Sequence, residues 1–416
     1  MKLFEQASIG SNVLKNRIIR SATYEGMCDR EGFPTEKYRN HYIELARNDV
    51  GGIITGFAYT SKTGRAMQPG QAAIDAASKI PFYREITEGV HRYGSRIFMQ
   101  VAHAGRQTNR EATGEKPVSP SVKRSSYFNQ TPRSLGTGEA LRLAEEFSDA
   151  ALRVKESGFD GVQLHAAHGY LIHQFLLPSI NNRKDCFGVD PQTRLGTRFL
   201  DLIIDCVREK CGSGFPVLVK ISGGDDYRHH FSETQLVDLI CFLDRKRVSA
   251  IEISYGTMDI PLNIFRGRSV PLDAIIRHNP RYRRKHELSR SLWKALISPL
   301  LLKKLKPFTP AYNLPYAALA KNFTDIPVIS VGGFRDSGQM ESALTDLKAD
   351  FIGLSRPLLC EPDLVRKIAK NRRYIARCVS CNMCAVMCDS PHPTRCCLKA
   401  NQGGTPWNSS KKLSRS

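Results

Sequence analysis

Eight short apolar runs, each followed by a stretch of helical periodicity, constrain this chain more than any other feature. They are "RIIRSA" (17–22), "GGIITG" (51–56), "RIFMQVA" (96–102), "GVQLHA" (161–166), "VLVKIS" (217–222), "AIEISY" (250–255), "PVISVGG" (327–333) and "FIGLSR" (351–356). Their apolarity is continuous rather than alternating, the pattern of parallel strands buried on both faces. The segments between them read as helices. Leu143, Phe147, Ala151 and Val154 recur at helical spacing before Gly158 supplies a stop. Ser232 and Gln235 stand at capping-box spacing ahead of Leu236, Leu239 and Leu243. Strand then helix, eight times over, predicts an α/β fold, a (β/α)8 TIM barrel, with a doubly wound open sheet as its rival. The barrel is expected over residues 1–376, with an insertion at 257–314. A short cysteine-rich extension (377–400) and a disordered polar tail (401–416) are expected to follow it.

Barrels of this kind keep their chemistry on the loops at the C-terminal ends of the strands. Those ends carry Tyr24, Gly56, Gln100, the cluster His165, His168 and Tyr170, then Lys220, Tyr255, Gly332, Gly333, Ser355 and Arg356. Glycines after strands seven and eight let backbone N–H groups approach a phosphate, and Arg356 can grip it with a fork of donors. Structural glycines in tight turns are the plain alternative. Gln100 offers donor and acceptor to a ring of alternating N–H and C=O groups, and Lys220 can stabilise negative charge on such a ring. That describes the pyrimidine side of a flavin, although ordinary polar groups at strand ends would look the same. His165 and His168 can bind a metal, with His173 as the nearby third histidine, can sit in a core without function, or can present two N–H donors to one oxygen. Tyr170 has a phenol with an ordinary pKa near ~10, protonated at neutral pH and able to act as a general acid.

The net charge of +21, from 61 Lys and Arg against 40 Asp and Glu, invites a nucleic-acid or anionic-membrane reading. The excess is concentrated, with ten of those cations in residues 277–308. The apolar run "LWKALISPLLL" beside them keeps a peripheral membrane or acidic-partner face open alongside a plain solvated insertion. No stretch approaches the ~18 apolar residues of a membrane span. The N-terminus lacks an export signal, so a cytoplasmic location is expected. Six of the twelve cysteines lie between Cys378 and Cys397, which reads as metal or cluster ligation rather than a disulfide framework.

"QVAHAGR" (100–106), "GFDGVQLHAAHGYLIHQFL" (158–176), "NNRKDCFG" (181–188) and "NRIIRSA" (16–22) resemble the Old Yellow Enzyme family of FMN-dependent ene-reductases, with the likeness running over residues 1–376. It is similar to the branch containing 2,4-dienoyl-CoA reductase and trimethylamine dehydrogenase, which carries a cysteine cluster after the barrel. The resemblance implies FMN across the barrel mouth, with Gln100 and Lys220 at its pyrimidine edge and Tyr24 and Gly56 among its contacts. Gly332, Gly333, Ser355 and Arg356 are implied around its phosphate. His165 and His168 would hold the oxygen of an electron-withdrawing group, so that an activated C=C bond takes hydride from flavin N5 and a proton from Tyr170.

By the same resemblance Cys378, Cys381, Cys384 and Cys397 would hold a [4Fe–4S] cluster, with zinc as the alternative ion and Cys388 and Cys396 surplus. With nineteen residues after Cys397, no nucleotide-binding module like that of the large relatives is expected. Electrons are therefore expected from NADH or NADPH, or from a separate electron-donor protein. Two other functions stay open. One is an amine-oxidising flavin dehydrogenase, favoured if aromatic residues cage the substrate. The other is a basic zinc-binding protein that engages nucleic acid, which would leave Gln100, the His165–Tyr170 cluster and Arg356 unexplained; with the enzyme, no nucleic-acid partner is expected. A homo-oligomer is the default assembly.

Overall fold

In a computed structural model describing residues 1–279, 289 and 292–400, all eight apolar runs are strands of one closed parallel sheet. They are β1 (Ile18–Arg20), β2 (Gly52–Ile54), β3 (Arg96–Ala102), β4 (Val162–Ala166), β5 (Val217–Ser222), β6 (Ala250–Ser254), β7 (Val328–Val331) and β8 (Phe351–Leu354). Each pairs with its neighbours in sequence, and the ring closes where β8 meets β1, with Ile352 opposite Ile18. No edge of the kind an open sheet would leave remains on the ring. The helices that follow the strands are α1 (Glu36–Arg47), α2 (Ile80–His91), α3 (Thr137–Glu156), α4 (Arg198–Cys211), α5 (Glu233–Arg245), α6 (Leu314–Lys321), α7 (Ser337–Thr345) and α8 (Leu364–Lys370).

The two-residue period of a strand sorts the side chains into layers. Ile97, Met99, Val219, Ile221, Ile251 and Ile253 face outward into the core shared with the helices. Phe98, Leu218, Ala250, Ile329 and Phe351 face inward and, with Ile9 and Leu14 of an N-terminal hairpin, close the floor of the barrel. Burying each large aliphatic side chain contributes about 1.5–3 kcal/mol. Two residues further along the same strands stand Gln100, Lys220 and Glu252, so the polar layer begins directly above an apolar floor.

Local signals set the helix bounds. Ser232 Oγ accepts from the Gln235 N–H (3.2 Å) while Gln235 Oε1 accepts from the Ser232 N–H (3.0 Å), the reciprocal cap expected of α5. Helix α3 buries Leu143, Phe147, Ala151 and Val154 and ends ahead of Gly158 at φ +80°.

Between β6 and α6 the chain leaves the barrel for the insertion, which holds helices Pro261–Ile264 and Leu272–His278 and a helical stretch over 292–302. Of the basic segment 277–308, residues 280–288, 290 and 291 lie outside the described residues, as does the expected tail 401–416. The cysteine-rich extension folds back over the mouth. Its Thr394 N–H donates to the Glu25 carbonyl (2.7 Å), and Arg335 donates to Cys378 O (3.2 Å) and Ser380 Oγ (3.0 Å). No described helix is long and apolar enough to cross a membrane.

Candidate active site

The C-terminal strand ends surround a cavity whose base is a chain of buried polar groups. Gln100 Nε2 donates to Gln163 Oε1 (2.7 Å), Gln163 Nε2 donates to Glu252 Oε2 (2.7 Å), and Lys220 Nζ donates to Glu252 Oε1 (3.1 Å). Glu252 is wholly enclosed. A carboxylate so placed is tolerable only when paired and hydrogen-bonded, and Lys220 and Gln163 meet both needs. Lys220 keeps two further N–H donors for a ligand above it. Gln163 and Glu252 escaped the sequence reading. Their signal was there: a polar side chain inside "GVQLHA" and another inside "AIEISY", each two residues before a mouth residue on the same inner face.

His165 stands two residues above Gln163. Its ring lies 4.9 Å from that of His168, at 88°, and 4.9 Å from that of Tyr170. His168 adopts φ +60° just past β4, its N–H donates to Ser222 Oγ (3.2 Å), and its Nε2 lies 2.8 Å from Ser254 Oγ. The inner face therefore holds three of the predicted groups together. Burial, reinforced by Lys220, keeps the His165 imidazole well below its ordinary pKa; burial, then His165 and Lys220, does the same to His168. Both rings are neutral at neutral pH and so offer N–H donors without charge. His165 Nδ1 is buried with no partner, an atom that awaits a ligand. Burial, then Asp389 and Cys388, raises the Tyr170 phenol above its usual range, so it stays protonated.

His173 does not join them. Its Nδ1 accepts from the Gly169 N–H (2.9 Å), bracing the turn that aims His168 and Tyr170, and burial holds it at about 3. No group of three or more His, Cys, Asp or Glu side chains among the described residues is placed to hold a metal ion. The histidine metal site is therefore not formed.

At the opposite end of the cavity, Gly332 (φ +133°) and Gly333 (φ +84°) carry the chain out of β7 in conformations that side chains resist. A Cβ on Gly333 would come within 2.6 Å of the Ala311 backbone nitrogen. Ser355 and Arg356 line the same end. Arg356 donates to Arg266 O (3.0 Å) and to Asn382 Oδ1. Arg335, which the sequence reading passed over although it lies in "VGGFRD", lines this end too. Arg266 packs between the Tyr255 and Tyr312 rings, 4.5 and 4.7 Å from their centroids, with its Nε buried and unpartnered. The partners of Arg335 and Arg356 are carbonyl, amide and hydroxyl oxygens rather than carboxylates. Guanidinium groups with no carboxylate partner among the described residues, beside a glycine turn, suit a phosphate.

Tyr24 lies on the cavity wall and donates to Pro69 O. Gly56 is placed elsewhere. Its N–H donates to Glu25 Oε1 (2.8 Å), which is paired with buried Arg20 (2.9 Å). The close approach that only glycine allows at position 56 is thus to Glu25 and not to the cavity.

The mouth opens outward into a second cavity of about 470 Å³ beneath the insertion. Tyr24, Phe57, Tyr170, Met258 and Phe265 are common to both, and Tyr127, Tyr227, Leu262, Leu272, Trp293 and Leu301 extend the walls. The extension contributes Asp389, which accepts from Tyr127 Oη (2.5 Å), Gln68 Nε2 (2.9 Å) and Asn279 Nδ2 (2.6 Å); burial raises its carboxyl above the ordinary range.

The cysteine expectation fares differently. Cys384 and Cys388 line the inner cavity, and Cys388 Sγ points to Cys384 O (3.4 Å). Cys397 Sγ turns to Arg395 O (3.8 Å). Cys360 neighbours Cys396, and burial followed by that thiol pushes it up to about 12. Cys378, Cys381, Cys384 and Cys397 keep the expected spacing along the chain, yet they do not form a metal-binding group in space. The extension is folded as a cover over the mouth, in which Cys378 stays within electrostatic reach of Cys384, and Cys381 and Cys396 within that of Cys397. Neither the iron–sulfur nor the zinc expectation is met by these residues as they stand.

The profile of the NADH:flavin oxidoreductase / NADH oxidase family matches residues 2–271 and 304–374. The chain is 29% identical over 383 residues to an NADH oxidase of Thermoanaerobacter brockii, covering 92% of this chain and 53% of that protein. It is 29% identical over 403 residues to a metal reductase of Desulforamulus reducens, covering 96% and 54%. The chain thus spans about half the length of these curated relatives. In fold it is similar to 2-naphthoyl-CoA reductase in complex with 2-naphthoyl-CoA, with a TM-score of 0.77 at 20% identity, covering 95% of this chain and 56% of that one.

Proposed function

Because the chain belongs to the NADH:flavin oxidoreductase / NADH oxidase family, we propose that it is an FMN-dependent reductase of activated alkenes such as α,β-unsaturated carbonyl compounds. The observation that carries this reading is the meeting of two neutral histidines and one protonated tyrosine at a single cavity. Arg335 and Arg356, whose partners are neutral oxygens, and the glycine turn stand at its other end. The residues present suit FMN. Gln100 and Lys220 would hold the pyrimidine side, and Gly332, Gly333, Ser355 and Arg356, with Arg335, the phosphate. When bound, FMN supplies the hydride, drawn from NADH or NADPH or from an electron-donor protein.

His165 and His168 would hold the carbonyl oxygen of the substrate. As neutral donors they stabilise negative charge growing on that oxygen, by about 3 kcal/mol for a well-placed donor. Tyr170 delivers its phenolic proton to the carbon next to the carbonyl, and its raised pKa keeps that proton in place until the transfer. The apolar outer cavity would shelter the body of the substrate from water. The test is reconstitution with FMN, then anaerobic reduction of a cyclic enone with either nicotinamide donor, in the parent chain and in Tyr170→Phe. Failure to bind FMN, or unchanged enone reduction in Tyr170→Phe, would remove the reading.

A second reading has an observation of its own. Tyr24, Phe57, Tyr127, Tyr170, Tyr227 and Trp293 give the combined cavities an aromatic wall of the kind that attracts amine cations. Arg228 and Lys304 line the same space alongside Asp226, Asp259 and Asp389, so its charge favours neither reading, and the histidine pair at the cavity base favours the alkene reductase. Amine-dependent flavin reduction under the same anaerobic conditions would reverse that preference.

A further inference from the structure

The insertion is where this chain departs from its family profile, which stops at residue 271 and resumes at 304. It is also where exposed apolar side chains concentrate. Leu292, Leu296 and Leu300 stand four residues apart on the helical stretch 292–302 and are 61%, 61% and 62% exposed. That spacing sets them along one face. On the other side of the same stretch Trp293 is buried, and Leu301 and Leu302, still 43% and 37% exposed, line the rim of the outer cavity. Lys303, Lys304 and Lys306 follow at once and are exposed. Among the described residues no carboxylate pairs with Lys303 or Lys304, whereas Lys294 is paired with Asp273 (2.7 Å).

We propose that this stretch seats the chain on an anionic lipid surface. A row of leucines beside unpaired lysines is the arrangement of a helix lying in the headgroup region, its apolar face toward the acyl chains and its cations among the phosphates. The leucines decide between partners. A nucleic acid or an acidic peptide would satisfy the lysines and leave three leucines in water. A neutral surface would cover the leucines and leave the lysines without counter-charge. Docking in this way sets the roof of the outer cavity against the bilayer. It does not depend on the reaction proposed above, so the two can fail separately.

The experiment is flotation of the full chain with vesicles of phosphatidylcholine alone or with added phosphatidylglycerol. Binding to the phosphatidylglycerol vesicles is expected to be at least about tenfold stronger and to weaken with salt. Leu296→Glu with Leu300→Glu is expected to reduce it by at least about tenfold. Lys303→Glu with Lys304→Glu is expected to abolish the preference for the charged vesicles. These side chains are exposed, so the fold should survive, and hydrogen exchange on the unsubstituted chain gives a second measure: protection on adding vesicles should fall on 292–306. Equal binding to both vesicle types, or protection elsewhere, would overturn the proposal. So would a dimer that needs the leucines while vesicles go unbound, which would make a second copy the occupant.

Discussion

The barrel mouth and the cysteine extension make an instructive pair, since each presents a dense set of chemically reactive side chains at well-defined spacing. At the mouth the predicted groups converge. The His165 ring lies 4.9 Å from those of both His168 and Tyr170 at one cavity. In the extension, four cysteines at suggestive spacing form no metal-binding group, although Cys378 lies within electrostatic reach of Cys384 and Cys381 within that of Cys397. The difference lies in what holds them. Mouth residues are fixed by strands whose register is set by pairing on both sides, as where Lys220 sits opposite both His165 and Glu252. Of the extension's cysteines, Cys378 and Cys381 precede a short helix, Met383–Met387, that holds Cys384, and Cys397 lies beyond it, so loops rather than paired strands set their distances.

The largest effect that would sharpen this contrast is at Tyr170. Tyr170→Phe should lower alkene reduction by about 10²–10⁴-fold with flavin content unchanged, as measured by anaerobic turnover and absorbance. Next comes the floor. Glu252→Gln leaves Lys220 as a buried cation without its counter-charge, a change expected to cost about 3–5 kcal/mol of stability in denaturant unfolding. Adding Lys220→Met should restore most of that loss. If the single variant unfolds like the parent, the floor is not the rigid base it is taken to be.

A smaller effect is expected from pH. Burial holds His41, His103 and His173, all in the barrel, at about 3. The unfolded chain takes up protons on these rings below about 6.5 and the folded chain does not until about 3. Their contribution is therefore complete above pH 6.5 and is lost as pH falls toward 3, by up to about 1.4 kcal/mol per histidine per pH unit. The melting temperature should fall from pH 7 to pH 5, and a flat profile would mean the rings are solvated. The smallest effect belongs to the extension. Cys397→Ser should change stability and flavin retention by no more than about 0.5 kcal/mol, since its thiol's hydrogen bond is a long one to the Arg395 carbonyl that a hydroxyl can also make. A large loss on that substitution would place Cys397 in a shell that forms only with metal bound, and would break the comparison.

The barrel was readable because its signals are local and repeated. Continuous apolar runs mark strands buried on both faces, and caps such as Ser232 mark the helices between them. The mouth was readable through the rule that strand ends carry the chemistry, and His165, His168, Tyr170, Lys220 and Arg356 all reached the cavity. Gly56 did not, because its glycine is needed for a contact with Glu25, a partner 31 positions away that no local pattern announces. Gln163 and Glu252 were hidden for the opposite reason: a polar residue inside an apolar run looks like noise until the strand's inner face is known. Arg335 and Arg266 became visible only when the fold brought them beside Arg356. The outer cavity depends on how the insertion folds over the mouth, which is a matter of tertiary packing throughout.

The ceiling of that cavity belongs to neither the repeating unit of the barrel nor its polar floor. It is assembled from the insertion and the extension, which meet through Asn279 and Asp389. What the protein admits is therefore separable from what it does to the molecule admitted. A different ceiling could be grafted over the same eight strands, changing the guests while leaving the His165, His168 and Tyr170 triangle undisturbed.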